Sequence, residues 1–259
     1  MDSSLKKLVK PLIITLGKKI ESERFTEKPI IIGACPRSGT TLLLSILDAH
    51  PNIYSIQNQT YAFTSWKKEN LPGRFLPVRL DRLYREFLFH RIKGDPVRWC
   101  EKTPKNIQFL DKIIEYFSDT VKIIHLVRDG RDVVTSRHPK HTPNEYWVSV
   151  ERWVKDVEFA LQFHSYPNVY SLHYEDLINN FEAETRKLLQ FLEEEYVPEI
   201  ANWFENTTVK KSKNWKNPVQ ELHSGAIAKW KKPEHRCRYE EFMNNEDAVK
   251  LSKKLGYEI

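Results

Sequence analysis

The chain has 259 residues, of which 40% are hydrophobic, 12% aromatic and 29% charged, a composition that excludes a wholly disordered chain and suffices for one substantial core. Its 41 Lys and Arg against 35 Asp and Glu leave a formal charge of +6, which suits an anionic ligand but lacks the dense basic stripe that nucleic acid demands. Cys35, Cys100 and Cys237 are too few and too scattered for a disulfide framework or a zinc site, so a reduced, cytoplasmic setting is expected.

Residues 1–27 read as an N-terminal helical segment of a single domain spanning 1–259. Its "PLIITLG" is too short to cross a bilayer and a poor secretory core. Leu5, Leu8, Leu12, Leu16 and Ile20 recur at near-helical spacing among Lys6, Lys7, Lys10, Lys18 and Lys19. A helix docked on the domain, or frayed around Pro11, is favoured over one lying on a membrane surface. Buried strands are predicted at Pro29–Ala34, Val97–Cys100, Val121–Val127 and Val169–His173. Helices are predicted at Thr41–Ala49, after Pro104 (Ile107, Leu110, Ile114, Phe117 on one face) and through Val150, Val154, Val157 and Leu161. The aromatic and basic stretch 61–98 is expected to form helices around a Pro/Gly-broken loop at Leu71–Pro77. Strands alternating with helices argue for an α/β, three-layer sandwich with a central parallel sheet, whose ligands sit at the C-terminal strand ends.

Three motifs fall at those ends. In "GACPRSGTT" six residues separate Gly33 from Thr40, and Thr40 stands where a nucleoside-triphosphate loop has its lysine. ATP and GTP are therefore disfavoured. An anion cradle remains, made of the amides of Ser38, Gly39, Thr40 and Thr41 with the cation Arg37, although a plain strand-to-helix turn with Thr caps reads equally well from this loop alone. In "HLVRDGRDVVTSRHPK", Arg128 and Ser136 could hold a second phosphate, or Asp129 and Asp132 could simply pair with the arginines of a solvated helix start. "WCEKTPKN" puts Lys102 at a third strand end.

Together, "PRSGTTLLLSILDAHP", "LVRDGRD", "SLHYEDL" and "GAIAKW … LGYEI" resemble the sulfotransferase family that uses 3′-phosphoadenosine 5′-phosphosulfate (PAPS), and most nearly its tyrosylprotein and bacterial branch. The resemblance implies the P-loop nucleotide-binding sulfotransferase fold and sulfuryl transfer to an acceptor, most simply a hydroxyl, without a metal. It assigns the 5′-phosphosulfate to Arg37, Ser38, Gly39, Thr40 and Thr41, and the 3′-phosphate to Arg128, Ser136 and Lys140. Tyr174 falls beside the adenine, Lys229 at a late cofactor-binding lysine, and Lys102, with Arg37, at the transferring sulfuryl group. Trp230 reads as packing. Residues 61–98 then form either the acceptor wall or a wet insertion. Counting from Asp48, Gln57 stands where the related branch has a glutamate base, and His138, His141 and Glu101 are candidate replacements. Two other readings stay open: a non-catalytic binder of 3′,5′-diphosphoadenosine, and a nucleotide-kinase-like enzyme.

Overall fold

The structure, a computed structural model, describes residues 3–69, 74–137, 145–209 and 224–259. Its strands are β1 (Ile30–Gly33), β2 (Ile53–Ser55), β3 (Trp66–Lys68), β4 (Phe75–Pro77), β5 (Arg98–Lys102), β6 (Lys122–Val127) and β7 (Val169–His173). Five of them form a wholly parallel sheet in the order β2-β5-β1-β6-β7. β1 lies at the centre, where the chain has built to one side and then turns to the other. Such a switch point opens a crevice at the C-terminal strand ends. The runs "IIIG" and "KIIHLV" are buried at every position because helices cover both faces of the sheet.

One face is covered by α2 (Thr40–Asp48) with helices from the later part of the chain. The other carries α1 (Ser3–Arg24), α3 (Leu80–Phe89) and α4 (Leu110–Phe117). Further along are α5 (Gly130–Val134), α6 (Val150–Leu161), α7 (Tyr174–Asn179), α8 (Phe181–Leu192), α9 (Pro198–Ala201), α10 (Trp203–Asn206), α11 (Arg236–Met243) and α12 (Glu246–Lys254). No helix among the described residues is long and apolar enough to cross a membrane.

The four predicted strands stand within a residue or two of their expected bounds. β2 escapes sequence reading because three residues are too short to show a period. The helix after Pro104 opens as a 3₁₀ turn, Pro104–Phe109, before α4 begins. Residues 61–98 depart further from expectation: β3 and β4 pair as an antiparallel hairpin, and α3 is the one helix found in the stretch's described residues. The N-terminal segment is helical through Pro11, but of the expected apolar stripe Leu12 and Leu16 face away from the core while Ile20 packs on it. Ile13 is buried, with Val9, Ile14 and Ile20 packed alongside, while Leu12 and Leu16 are 58% and 44% exposed. Gly17 decides the docking face. A Cβ there would lie 2.2 Å from Cβ of Tyr84, so α1 and α3 meet backbone to side chain at that point.

Candidate functional site

β1 leads into a tight loop that ends at α2. Gly39 has φ +98°, and the ring of Tyr174 fills the space where a Cβ would stand, 2.5 Å away. Only glycine can turn the chain there. Arg37 also sits in the left-handed region, at φ +77°. Gly39 is the N-cap of α2 and offers no side-chain cap, so the expected threonine caps are not formed. By helix geometry the first amides of α2, at Thr40 and Thr41, have no partner within the helix. The Ser38 amide is engaged in the turn, donating to the Cys35 carbonyl at 3.3 Å. Ser38 Oγ and Arg37 Nε are buried without a hydrogen-bond partner. Native structures rarely leave such atoms unpaired.

Lys102 ends β5 beside Ile32 of β1. It is only 2% exposed, and its Nζ donates to Thr41 Oγ1 at 3.3 Å. Burial pushes its pKa down to about 8 against the partial opposition of the Glu101 charge. Glu101 points away from that contact. It is fully buried, and its oxygens already accept from Thr60, Thr103 and Asn106.

Arg128 follows β6. Its NH1 donates to the Arg37 carbonyl at 2.9 Å, and its NH2 donates to the Ala226 carbonyl and stands 3.7 Å from Asp132 Oδ2. The guanidinium lies 4.4 Å from the centre of the Tyr174 ring, and its Nε is buried without a partner. Tyr174 is thus clamped between Gly39 and Arg128 at the end of β7. Asp132 accepts from the amides of Ala228 and Trp230 and so fastens the Lys229 segment to α5. Asp129 caps α5 and pairs with Arg131, whose guanidinium stacks on Trp230. Trp230 also stacks on Tyr239, in keeping with a packing role. Ser136 Oγ donates to the Asp132 carbonyl at 2.7 Å.

The electrostatics of this edge follow from that geometry. Burial, and then the neighbouring Arg128, push the pKa of Arg37 down; the same two causes lower that of Lys229. Arg128 thus disfavours the charged forms of Arg37 and Lys229 around a loop that also holds unpaired donors, an arrangement that an anion relieves. The structure brings together Arg37, Ser38, Gly39, Thr40, Thr41, Lys102, Arg128, Tyr174 and Lys229, with Ser136 one short helix away. Lys140, His138 and His141 lie outside the described residues.

Gln57 follows β2 and is exposed. Its amide donates to the carbonyl and the hydroxyl of Thr208. Asp48 Oδ2 accepts three bonds from Thr207 and Thr208. Sequence reading missed this Asp48–Thr208–Gln57 chain because Thr208 lies 151 positions from Gln57 and 160 from Asp48. Tyr61, the first residue of the aromatic and basic stretch, stands at φ +54°; its amide donates to Thr103 Oγ1 and its hydroxyl to Gln59, neither of which the sequence shows.

Known proteins share this fold. In solved structures the fold is similar to a sulfotransferase domain of the Synechococcus PCC 7002 olefin synthase, at TM-score 0.61 and 17% identity over 90% of this chain and 97% of that one. It is also similar to mouse sulfotransferase SULT7A1, solved as a complex with PAP, at TM-score 0.54 and 18% identity over 92% and 93%. Among curated relatives, protein-tyrosine sulfotransferase 1 of Danio rerio is 29% identical over 63% of this chain, and an uncharacterized Aquifex aeolicus protein is 22% identical over 84%. The chain spans 52% of the former's length and 31% of the latter's. A sequence model described as the sulfotransferase family matches residues 29–199. That span starts before β1 and closes inside α9, and so contains every strand end from which a candidate residue projects; by this match the chain belongs to the sulfotransferase family.

Proposed function

We propose that the chain moves the sulfuryl group of PAPS to an acceptor hydroxyl, carried by a carbohydrate, a lipid, a small molecule or a protein. The observation that carries this reading is the set of buried, partnerless donors, Arg37 Nε, Ser38 Oγ and Arg128 Nε, facing a loop where Arg37, Arg128 and Lys229 repel one another. These residues fit the group: two guanidinium N–H donors and a hydroxyl able to donate match an acceptor-rich anion. Arg37, the Ser38 hydroxyl, the Thr40 and Thr41 amides and Lys102 would hold the phosphosulfate. Arg128, Ser136 and Lys140 would hold the 3′-phosphate, with Ser136 first releasing the Asp132 carbonyl. Tyr174 and Lys229 would flank the nucleoside. When bound, PAPS supplies the sulfuryl group and leaves as 3′,5′-diphosphoadenosine.

The protein's own contribution is positioning and charge. Sulfuryl transfer resembles phosphoryl transfer, in which charge spreads over equatorial oxygens and fixed cations stabilise it. Lys102 and Arg37 approach the same loop from β5 and β1; Lys102 is buried and Arg37 half-buried, so water screens them less than it would exposed charges. They supply positive charge without a metal ion.

The test is transfer of label from PAPS to a panel of hydroxyl acceptors that includes a cell extract. Transfer that is unaffected by chelator and lost in Lys102→Ala supports the reading. Intact 3′,5′-diphosphoadenosine binding with no transfer to any acceptor would favour a non-catalytic binder, and magnesium-dependent phosphoryl transfer from ATP would favour the kinase-like alternative.

A further inference from the structure

Glu101 is a fully buried carboxylate whose pairing is made of neutral donors. Its Oε1 accepts from the Thr60 amide at 3.2 Å, the Thr60 hydroxyl at 2.8 Å and the Thr103 hydroxyl at 2.5 Å; its Oε2 accepts from Asn106 Nδ2 at 2.7 Å. Each donor extends the connection. Thr60 Oγ1 takes the Ala62 amide, Thr103 Oγ1 takes the Tyr61 amide, and Asn106 Nδ2 also reaches the Ile32 carbonyl of β1. Backbone adds another tie, from the Ala34 amide to the Pro104 carbonyl at 3.1 Å.

Three pieces of the site meet at this one side chain: the root of the phosphate loop, the strand end that carries Lys102, and the segment 57–61 that carries Gln57 and Tyr61. A buried charge is costly, and it persists where donors satisfy it and where the surrounding arrangement requires it. An acceptor-only group with four donors is what a carboxylate provides and a glutamine does not. Tyr61 is the second sign of constraint. A tyrosine at φ +54° is strained, and strain of this kind persists where neighbouring contacts over-determine it. Here those contacts run through Thr103 to Glu101.

We propose that Glu101 is the positioning residue of this site, whose carboxylate fixes segment 57–61 and the Lys102 strand end against the phosphate loop. The inference rests on the proposed sulfuryl transfer for its catalytic readout. In a β-strand adjacent side chains point to opposite faces, so Glu101 organises one face while Lys102 works on the other. Its charge also favours the Lys102 ammonium, whereas the neighbouring Cys100 is kept a neutral thiol by burial; Thr41 is the group hydrogen-bonded to Lys102 itself.

Glu101→Gln tests this, since it keeps the volume and turns one acceptor into a donor that faces other donors. In the folded variant, 3′,5′-diphosphoadenosine affinity should stay within about twofold of native while kcat falls by about tenfold or more, the scale of a small misplacement of reacting groups. The basic limb of the pH–rate profile, and the Lys102 midpoint followed by NMR of the ε-carbon, should both move to lower pH. Thr60→Ala, which removes one arm, should lower kcat by a smaller factor and leave the Lys102 midpoint in place. A folded Glu101→Gln with native kcat and an unmoved midpoint overturns the proposal, as does a loss of transfer no larger than the loss of nucleotide affinity. If Glu101→Gln does not fold, Thr60→Ala and Thr103→Val decide, and native kcat in both overturns it. Should the native chain transfer no sulfuryl group, the proposed function fails, yet the Lys102 midpoint and the hydrogen-exchange rates of the Thr60 and Tyr61 amides in these variants still test Glu101. Native values for both in a folded Glu101→Gln overturn the inference.

Discussion

Lys102 Nζ reaches Thr41 Oγ1 across 3.3 Å, joining the end of β5 to the first turn of α2 with an ammonium that has almost no access to water. The contact places a cation at the mouth of the phosphate loop from outside the loop itself. It also means that the fold buries a charge at a cost.

That cost has a definite pH dependence. Lys102 titrates at about 8 in the fold against an ordinary 10.5, so its charged form is disfavoured there. The stability penalty is fully present below pH 8 and disappears as pH rises from 8 to 10.5; at full size the shift corresponds to ~3 kcal/mol. Lys102→Met should therefore be more stable than the native chain at pH 7, by roughly 1–3 kcal/mol in urea denaturation, with the difference shrinking near pH 10. Transfer should be lost in the same variant. A Met variant that is no more stable at pH 7 than at pH 10, relative to native, would remove the argument that burial strains this lysine.

Gly39→Ala should separate the loop from the rest of the fold. The new Cβ meets the Tyr174 ring at 2.5 Å in a left-handed conformation, and the backbone alone costs about 1–2 kcal/mol. Either Tyr174 is displaced from beneath Arg128 or the loop shifts. The expected result is a drop of more than tenfold in 3′,5′-diphosphoadenosine affinity with the sheet intact by circular dichroism. Native affinity in this variant would show that the clamp between Gly39, Tyr174 and Arg128 is not part of the nucleotide site.

Arg128→Ala should weaken 3′,5′-diphosphoadenosine more than adenosine 5′-monophosphate, because a charge-assisted bond to phosphate contributes about 1.5–3 kcal/mol. Some loss for the monophosphate is also expected, since Arg128 holds the Arg37 carbonyl and so shapes the first loop. Calorimetric titration of both ligands reads the difference. Equal losses would assign Arg128 to loop structure alone.

Gln57→Glu is expected to trade stability for base strength. The native amide donates to Thr208, whose hydroxyl is held in turn by Asp48, so a carboxylate at 57 would face a carbonyl and lie near a second acid. The variant should lose about 0.5–1.5 kcal/mol. If segment 57–61 faces the acceptor, the same change should raise transfer to an acidic tyrosine peptide, for which the native chain lacks a base at this position. Robust native tyrosine transfer, unchanged or impaired by the substitution, would place the proton acceptor elsewhere.

How much of this was legible in advance follows from the range over which each signal acts. "KPIIIGACPRSGTT" announces a strand, an anion loop and a helix because apolar runs, small residues and the missing Walker lysine are local features. The run through Arg128 and the strand before Tyr174 are legible for the same reason, and the alternation of strands and helices already implies a parallel sheet with these residues at one edge. The tertiary structure alone decided which of them touch. Strand order sets β5 and β6 on either side of β1, so that Lys102 meets Thr41 and Arg128 meets the Arg37 carbonyl. No periodicity encodes that neighbourhood, because it depends on how crossovers return the chain. The docking face of α1 was likewise settled by Gly17 against Tyr84, a contact between residues 67 positions apart, and not by the leucine stripe of the helix itself. Glu101 shows the same limit: in sequence it is one acid beside a lysine, and its role depends on Thr60 and Asn106 being folded around it.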